Sequence, residues 1–305
     1  MSVLSFQDID KSYGDTVALV GVSLDVAEGE VFGLLGPNGA GKTSLIRILM
    51  DIVRPDRGSI HLFGHERSKG DLDRVAYLPE ERGLYSKRKV LEIMVYFASL
   101  KGLSRVEARE RSERWLDRFG LAHTANWVVE RLSKGMGQKV QIASTLLTNP
   151  PLVVLDEPFS GLDPINVRLV QEIIQERRIA GLTTLLSTHQ MNQVETLCDR
   201  VALIHRGVRV MYGTLDEVRR EHSSAEVRTV FDGDPPELRT ARGHRRGSAD
   251  DWIFELVPEA DPSDLLAELV SRGLRVRHFE RRLAPMEDIF VNVVGEPVAG
   301  EEVES

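Results

Sequence analysis

The stretch GPNGAGKTS, Gly36–Ser44, decides the fold. It fits the spacing G-x-x-x-x-G-K-[ST]. It follows the continuous apolar run VFGLL (Val31–Leu35), which reads as a buried strand, and runs into KTSLIRILMDIV, which reads as a helix. Glycine lets the backbone wrap a phosphate chain without Cβ clashes. Successive N–H groups from about Asn38 to Thr43, with a helix dipole behind them, suit the β- and γ-phosphates of a nucleotide. The candidate cradle is therefore Gly36, Pro37, Asn38, Gly39, Ala40, Gly41, Lys42, Thr43 and Ser44, with Lys42 adding a point charge and the Thr43 hydroxyl placed for Mg²⁺.

The second half of such a site lies in LVVLDEPFSGLD, Leu152–Asp163. A buried strand there delivers Asp156 and Glu157 to its carboxyl end, where open α/β sheets hold their ligands. Adjacent carboxylates repel and call for a cation. Asp156 can reach Mg²⁺ directly or through water, and Glu157 can orient or deprotonate an attacking water. LLSTHQM places His189 just after another strand, where it could donate to the γ-phosphate. A nucleotide with β- and γ-phosphates and Mg²⁺ are the ligands this set implies.

RLSKGMGQKVQIAS (Arg131–Ser144) opens a further helix with Ser133 and Gly135. Bare N–H groups at such a helix start suit an anion.

The surrounding chain has 305 residues, 42% of them hydrophobic and 28% charged, with a net charge of −8. That is an ordinary globular balance, and the acidity argues against a protein that coats nucleic acid. The sole cysteine, Cys198, excludes an intrachain disulfide and reads as a core residue. The opening MSVLSFQDIDKSYGD shows no signal-peptide pattern, and no run approaches the roughly 18 apolar residues of a membrane helix. Residues 3–9 and 16–26 alternate as half-buried strands do. About 87–148 reads as helical, and from Pro151 strands alternate with helices, which implies a parallel α/β layer. The expected domains are 1–221 and a small α+β unit over 222–305. In the latter, Asp232–Asp251 reads as a polar loop and the tail GEPVAGEEVES as disordered.

Taken together, these motifs resemble those of the ATP-binding cassette (ABC) ATPases, over about Val3–Glu221. Gly36–Thr43 resembles the Walker A loop, Leu152–Asp156 the Walker B strand, Leu132–Met136 the signature, Ser160–Asp163 the D-loop and His189 the switch histidine. The resemblance implies a P-loop fold of the ABC type: a mixed sheet core, an antiparallel β subdomain and a helical signature subdomain. Tyr13 sits where the family stacks an aromatic on adenine. Three residues, in two motifs, depart from the family pattern. The signature reads Leu132-Ser133-Lys134-Gly135-Met136 instead of Leu-Ser-Gly-Gly-Gln, and Glu80 replaces a glutamine. A carboxylate at 80 can accept from water or bind Mg²⁺, or it can lie solvated in its loop. YLPEERGLY and the appended unit resemble the ATPases of ABC-2-type exporters.

The resemblance also implies partners. Each signature would serve the ATP of a second copy in a head-to-tail dimer, and a separate membrane permease would hold the pair at the inner face of the cell membrane. The alternative is a soluble ABC ATPase acting on nucleic acid or the ribosome. Translation members carry two cassettes in one chain. Repair members insert a coiled coil between the Walker motifs, and this interval has no sustained heptads. The basic run Arg239–Gly247 lacks interleaved aromatics, so it reads as a solvated loop and no nucleic acid is expected.

Overall fold

The computed structural model describes residues 2–81, 83–223, 226–247 and 251–295. The tail expected to be disordered lies, beyond Gly295, outside the described residues.

The first unit holds two sheets. Strands β1 (Ser2–Tyr13), β2 (Thr16–Ala27), β4 (Arg57–Leu62) and β5 (His65–Glu66) form an antiparallel sheet in the order β2-β1-β4-β5. Strands β3 (Val31–Leu35), β6 (Val75–Leu78), β7 (Leu152–Asp156), β8 (Thr183–Thr188), β9 (Arg200–His205) and β10 (Val208–Thr214) form the second, in the order β10-β9-β3-β8-β7-β6. Five of these run parallel, and β10 closes one edge antiparallel to β9. Every residue of β3, β7 and β8 is buried. This is why those strands read as unbroken apolar runs: a parallel sheet is covered on both faces.

Helix α1 (Lys42–Leu49) buries Leu45, Ile46, Ile48 and Leu49 in a core shared with Phe6 and Leu24 of the antiparallel sheet and Phe32, Val154 and Leu185 of the mixed one. Gly33 in β3 leaves room for Cys198, since a Cβ there would lie 2.9 Å from Cys198 Sγ. Burial pushes the thiol pKa up, so Cys198 is a packed core residue and not a nucleophile.

Between β6 and β7 come α2 (Val90–Leu100), α3 (Arg105–Arg118) and α4 (Lys134–Leu146). Local chemistry sets their ends. Ser104 Oγ caps α3 by accepting from Glu107 N at 3.2 Å, and Gly120, at φ +67°, turns the chain just past it. Ser133 caps α4 in the same way. Past β7, α5 (Pro164–Ile179) starts on an Asp163 cap with Pro164 at its first position, and α6 (Met191–Leu197) follows β8.

The chain divides between Leu215 and Asp216, earlier than the boundary expected at 221. Most of α7 (Leu215–Glu221) therefore lies in the second unit. Arg219 Nε donates to Ala284 O, and Ser223 Oγ accepts from Ala284 N, tying this stretch to the segment before the last helix.

The second unit contains β11 (Glu226–Phe231), β12 (Ala241–Arg246), β13 (Trp252–Leu256), α8 (Pro262–Ser271), β14 (Val276–Arg281) and α9 (Met286–Gly295), with an antiparallel sheet in the order β12-β13-β11-β14. Here the sequence expectation is corrected, because Ala241–Arg246 is an edge strand and not a loop. Two of its arginines reach carboxylates of the same sheet: Arg245 lies 2.9 Å from Glu226 of β11, and Arg242 lies 3.5 Å from Glu255 of β13. Charged edge strands resist pairing with other chains, which accounts for a polar run in a sheet.

Val227, Phe231, Phe254, Leu256, Leu265 and Leu269 form this unit's own core. Phe254 is fully buried and stacks on Phe231 at 6.3 Å between centroids. Phe254→Ala is expected to destabilise this unit by about 3–5 kcal/mol, the usual scale for a deleted core aromatic. Denaturant unfolding followed by Trp252 fluorescence checks it.

Candidate functional site

The register of the mixed sheet collects the chemistry. Leu35 pairs with Thr188 and Asp156 with Ser187, so β3, β7 and β8 end side by side. Each strand then hands on a motif: the glycine loop after β3, Glu157 after β7 and His189 after β8.

The loop needs its glycines. Gly36 has φ +148°, and a Cβ on it would sit 2.2 Å from Ile204 O. Gly41, at φ +111°, precedes α1, where a Cβ would sit 2.6 Å from Ala18 O. A side chain at either position would collide with backbone. Lys42 is buried, and its ammonium donates to Gly36 O at 2.7 Å and to Pro37 O at 3.0 Å. Burial pulls its pKa down, while the carboxylates of Glu157, Asp156 and Glu80 act in the opposite direction.

Asp156 is 2% exposed, and its Oδ2 has no hydrogen-bond partner. Burial pushes its pKa up. The Ser187 hydroxyl and Lys42 oppose the rise, and Glu80 and Glu157 add to it. A buried carboxylate with an orphaned oxygen among other carboxylates is the environment a divalent cation relieves. Among the described residues no group of three acidic, histidine or cysteine side chains forms a metal site. That donor set fits Mg²⁺, which is usually held by one or two protein groups and the phosphates of its substrate.

Glu157 takes a left-handed backbone conformation, φ +48°, which is rare for a side chain of its kind and common at functional sites. Its N–H donates to Ser187 O at 2.9 Å. Its Oε1 accepts from His189 N at 3.0 Å and lies 2.7 Å from His189 Nδ1. The backbone twist thus turns the carboxylate toward the next strand's histidine. Glu80 is exposed in the loop after β6, near enough to act on both Asp156 and Lys42. Thr43 and Ser44 occupy the first turn of α1.

Three expected residues make their contacts outside this cluster. Tyr13 ends β1, 42% exposed, with Lys11 Nζ 5.4 Å from its ring centroid. Ser133 Oγ accepts from Met136 N at 3.3 Å, and Gly135 packs against the D-loop, where a Cβ would lie 3.1 Å from Gly161 O. Sequence reasoning missed the side chains that hold α4 in place. Gln138 Nε2 donates to Pro158 O at 3.0 Å, next to Glu157. Gln141 Nε2 donates to Pro79 O and Glu81 O on the Glu80 loop. Glutamines on the otherwise apolar buried stripe of a helix were the available signal.

The raised pKa of Asp156 makes a stability statement. The native chain binds this proton more tightly than the unfolded chain does between the ordinary value of 3.8 and the raised one. The stabilisation is complete below the ordinary value and is lost as pH rises through the raised one. Asp156→Asn should therefore raise the melting temperature at neutral pH, by about 2–4 °C for each kcal/mol relieved. The gap should close as the pH falls through the same window. Thermal melts across pH, without nucleotide and with chelator, check this.

Residues 19–160 match the family model described as "ABC transporter", and residues 213–294 match "ATP-binding protein DrrA1-3-like, C-terminal domain". The chain is 38% identical over 298 residues to the uncharacterized ABC transporter ATP-binding protein YhaQ of Bacillus subtilis, covering 96% of this chain and 99% of that relative. It is 35% identical to the Nod factor export ATP-binding protein I of Burkholderia thailandensis, covering 96% and 97%. A solved ATP-binding subunit of an ABC transporter superposes with a TM-score of 0.68 at 34% identity, over 72% of this chain and 93% of that one. A dimeric ATP-binding cassette, MJ0796 bound to ADP and phosphate, shares the fold with a TM-score of 0.64 at 24% identity, over 70% and 98%. With its phosphate loop, buried carboxylates and appended unit in this order, the chain belongs to the ABC transporter family as an ATP-binding, ATP-hydrolysing subunit.

Proposed function

We propose that this subunit drives export through a separate membrane protein, and that its working form is a head-to-tail dimer with two shared ATP sites. Export follows the Nod factor export relatives, which align along nearly the whole chain. Among the described residues no helix is long and apolar enough to cross a membrane, which leaves the translocation path to another chain.

One observation carries the dimer reading. The glycine loop, Asp156, Glu157 and His189 gather at the carboxyl ends of three adjacent strands, whereas the Ser133 cap is engaged within α4 and Gly135 sits against Gly161. A second copy related by a twofold axis can bring its own α4 start to this chain's ATP. Ser133 and Gly135 then donate to the γ-phosphate held by Lys42 of the other molecule.

Within each site the chain's residues divide the work. Residues 36–44 wrap the phosphates, and Tyr13 stacks on adenine. Thr43 and Asp156 would hold Mg²⁺, with Glu80 reaching it directly or through water. Mg²⁺, when bound, neutralises charge developing on the phosphate oxygens. Glu157 orients or deprotonates the attacking water, and His189, fixed 2.7 Å from Glu157 Oε1, lines up the γ-phosphate side.

Closure has a route to the membrane subunit. A cavity of 420 Å³ opens beside the Glu80 loop, lined by Tyr77, Pro79, Leu84, Phe97, Leu100 and Gln141. Tyr85, 58% exposed, stacks on Phe97 beside it. Such an apolar, aromatic-rich hollow suits a cytoplasmic helix of the permease. Gln141 fastens the loop to α4, so displacement of α4 at the dimer seam moves the hollow's wall.

Glu157→Gln should keep ATP binding and ATP-dependent dimerisation while turnover falls by roughly 10²-fold or more. Hydrolysis at the wild-type rate would remove Glu157 from the proposed role. A mixing experiment tests the shared site. Lys42→Ala and Ser133→Ala should each be inactive alone. Their mixture should regain turnover, because one of the two sites in a mixed dimer pairs an intact Lys42 with an intact Ser133. No recovery on mixing, or activity in strictly monomeric protein, refutes the dimer.

A further inference from the structure

Outside the nucleotide cluster, two adjoining cavities of 320 and 210 Å³ share Trp115, Arg118, Leu146 and Asn149. Arg111 and Arg114 line the first, and Arg177 and Glu176 the second. Four arginines and one glutamate thus line the two adjoining cavities in a chain of net charge −8.

Two of the four cations are neutralised. Arg111 pairs with Glu107 at 2.6 Å and Arg118 with Glu176 at 2.6 Å. The other two are not. Arg177 is 6% exposed and meets only neutral acceptors: Asn149 Oδ1 at 3.2 Å, Pro150 O at 2.9 Å and Thr183 O at 3.4 Å. Its Nε has no partner. Burial pulls its pKa down to about 10, which still leaves it cationic at neutral pH. Arg114 is exposed, with no hydrogen bond or ion pair among the described residues. A buried cation without a counter-charge is costly, and an anion in the hollow offsets that cost.

We propose that this hollow, between α3, α5 and the connection from α4 to β7, binds a small phosphate-bearing anion. Phosphate oxygens match the planar fork of guanidinium and suit several arginines at once. The cavity volumes suit a free anion of pyrophosphate size. The Glu176 carboxylate limits the site, since an anion must compete with it for Arg118.

The placement gives the site a use. Arg111 Nη1 donates to Leu147 O at 3.0 Å from α3, and Arg177 reaches Asn149 and Pro150 from α5. Arginines of two helices therefore grip residues 147–150. These residues link α4, which starts at Ser133, to β7, which ends at Asp156. An anion there ties the helical layer to the sheet at the joint between the two halves of the ATP machinery, and so regulates how readily one moves against the other.

The test uses the full chain with the glycine loop blocked, either as Lys42→Ala or as wild type saturated with ADP and Mg²⁺. Inorganic pyrophosphate is titrated by calorimetry and by Trp115 fluorescence, with Trp127 and Trp252 replaced by Phe. Saturable binding is expected, weakening with salt and at least about tenfold weaker in Arg114→Gln, as loss of one charge-assisted contact implies. Arg114 is exposed and unbonded, so the variant should melt as the wild type does. No binding with the loop blocked, or unchanged affinity in Arg114→Gln, overturns the proposal. Binding to phosphatidate vesicles but not to pyrophosphate overturns the free anion in favour of a lipid headgroup.

Discussion

Burial of carboxylates at the end of β7 is the constraint on which the rest depends. Asp156 sits 2% exposed with an unsatisfied oxygen, and Glu157 follows it in a left-handed conformation. Such an arrangement is unfavourable in a lone chain. It persists because three fully buried parallel strands and the α1 core hold it, and a cation with a phosphate chain would supply the missing charge and hydrogen bonds. The energy of folding is thus used to keep a site poised for its ligand.

The same strand ends explain how a local event can reach distant surfaces. Glu157 is bonded to His189 on the next strand, and Pro158 beside it accepts from Gln138 of α4. One turn along α4, Gln141 holds the loop that carries Glu80. The helix capped by Ser133 therefore touches both the residue after Glu157 and the loop before the apolar hollow. These are polar contacts with specific geometry in a dry interior, where a shift of one partner leaves the other unsatisfied. Coupling through them needs no long-range field.

Much of the site was legible because its chemistry is local. Gly36 and Gly41 stand out in the sequence by the G-x-x-x-x-G-K-[ST] spacing, and in the structure each lies against backbone, at Ile204 O and Ala18 O. Leu152–Leu155 is apolar throughout because both faces of a parallel sheet are covered. The Ser104, Ser133 and Asp163 caps follow from orphan N–H groups at helix starts. The strand Ala241–Arg246 was not legible. Its polar residues carry no alternation, and pairing with β13, together with the carboxylates of β11 and β13 that hold its arginines, makes a strand of it. The membership of α7 was hidden for a like reason, since it rests on bonds to Ala284, far along the chain.

The amino-acid sequence by itself determined the order of motifs, the phosphate loop, the strand ends that carry the carboxylates and the helix starts. Each depends on the conformations open to a few consecutive residues. Tertiary structure decided that Glu157 faces His189, that Gln138 and Gln141 point inward, that Glu80 acts on Asp156, and that Arg177 is buried without a counter-charge. Those outcomes depend on which distant groups share a dielectric environment and a hydrogen-bond distance. No short window of sequence contains that information.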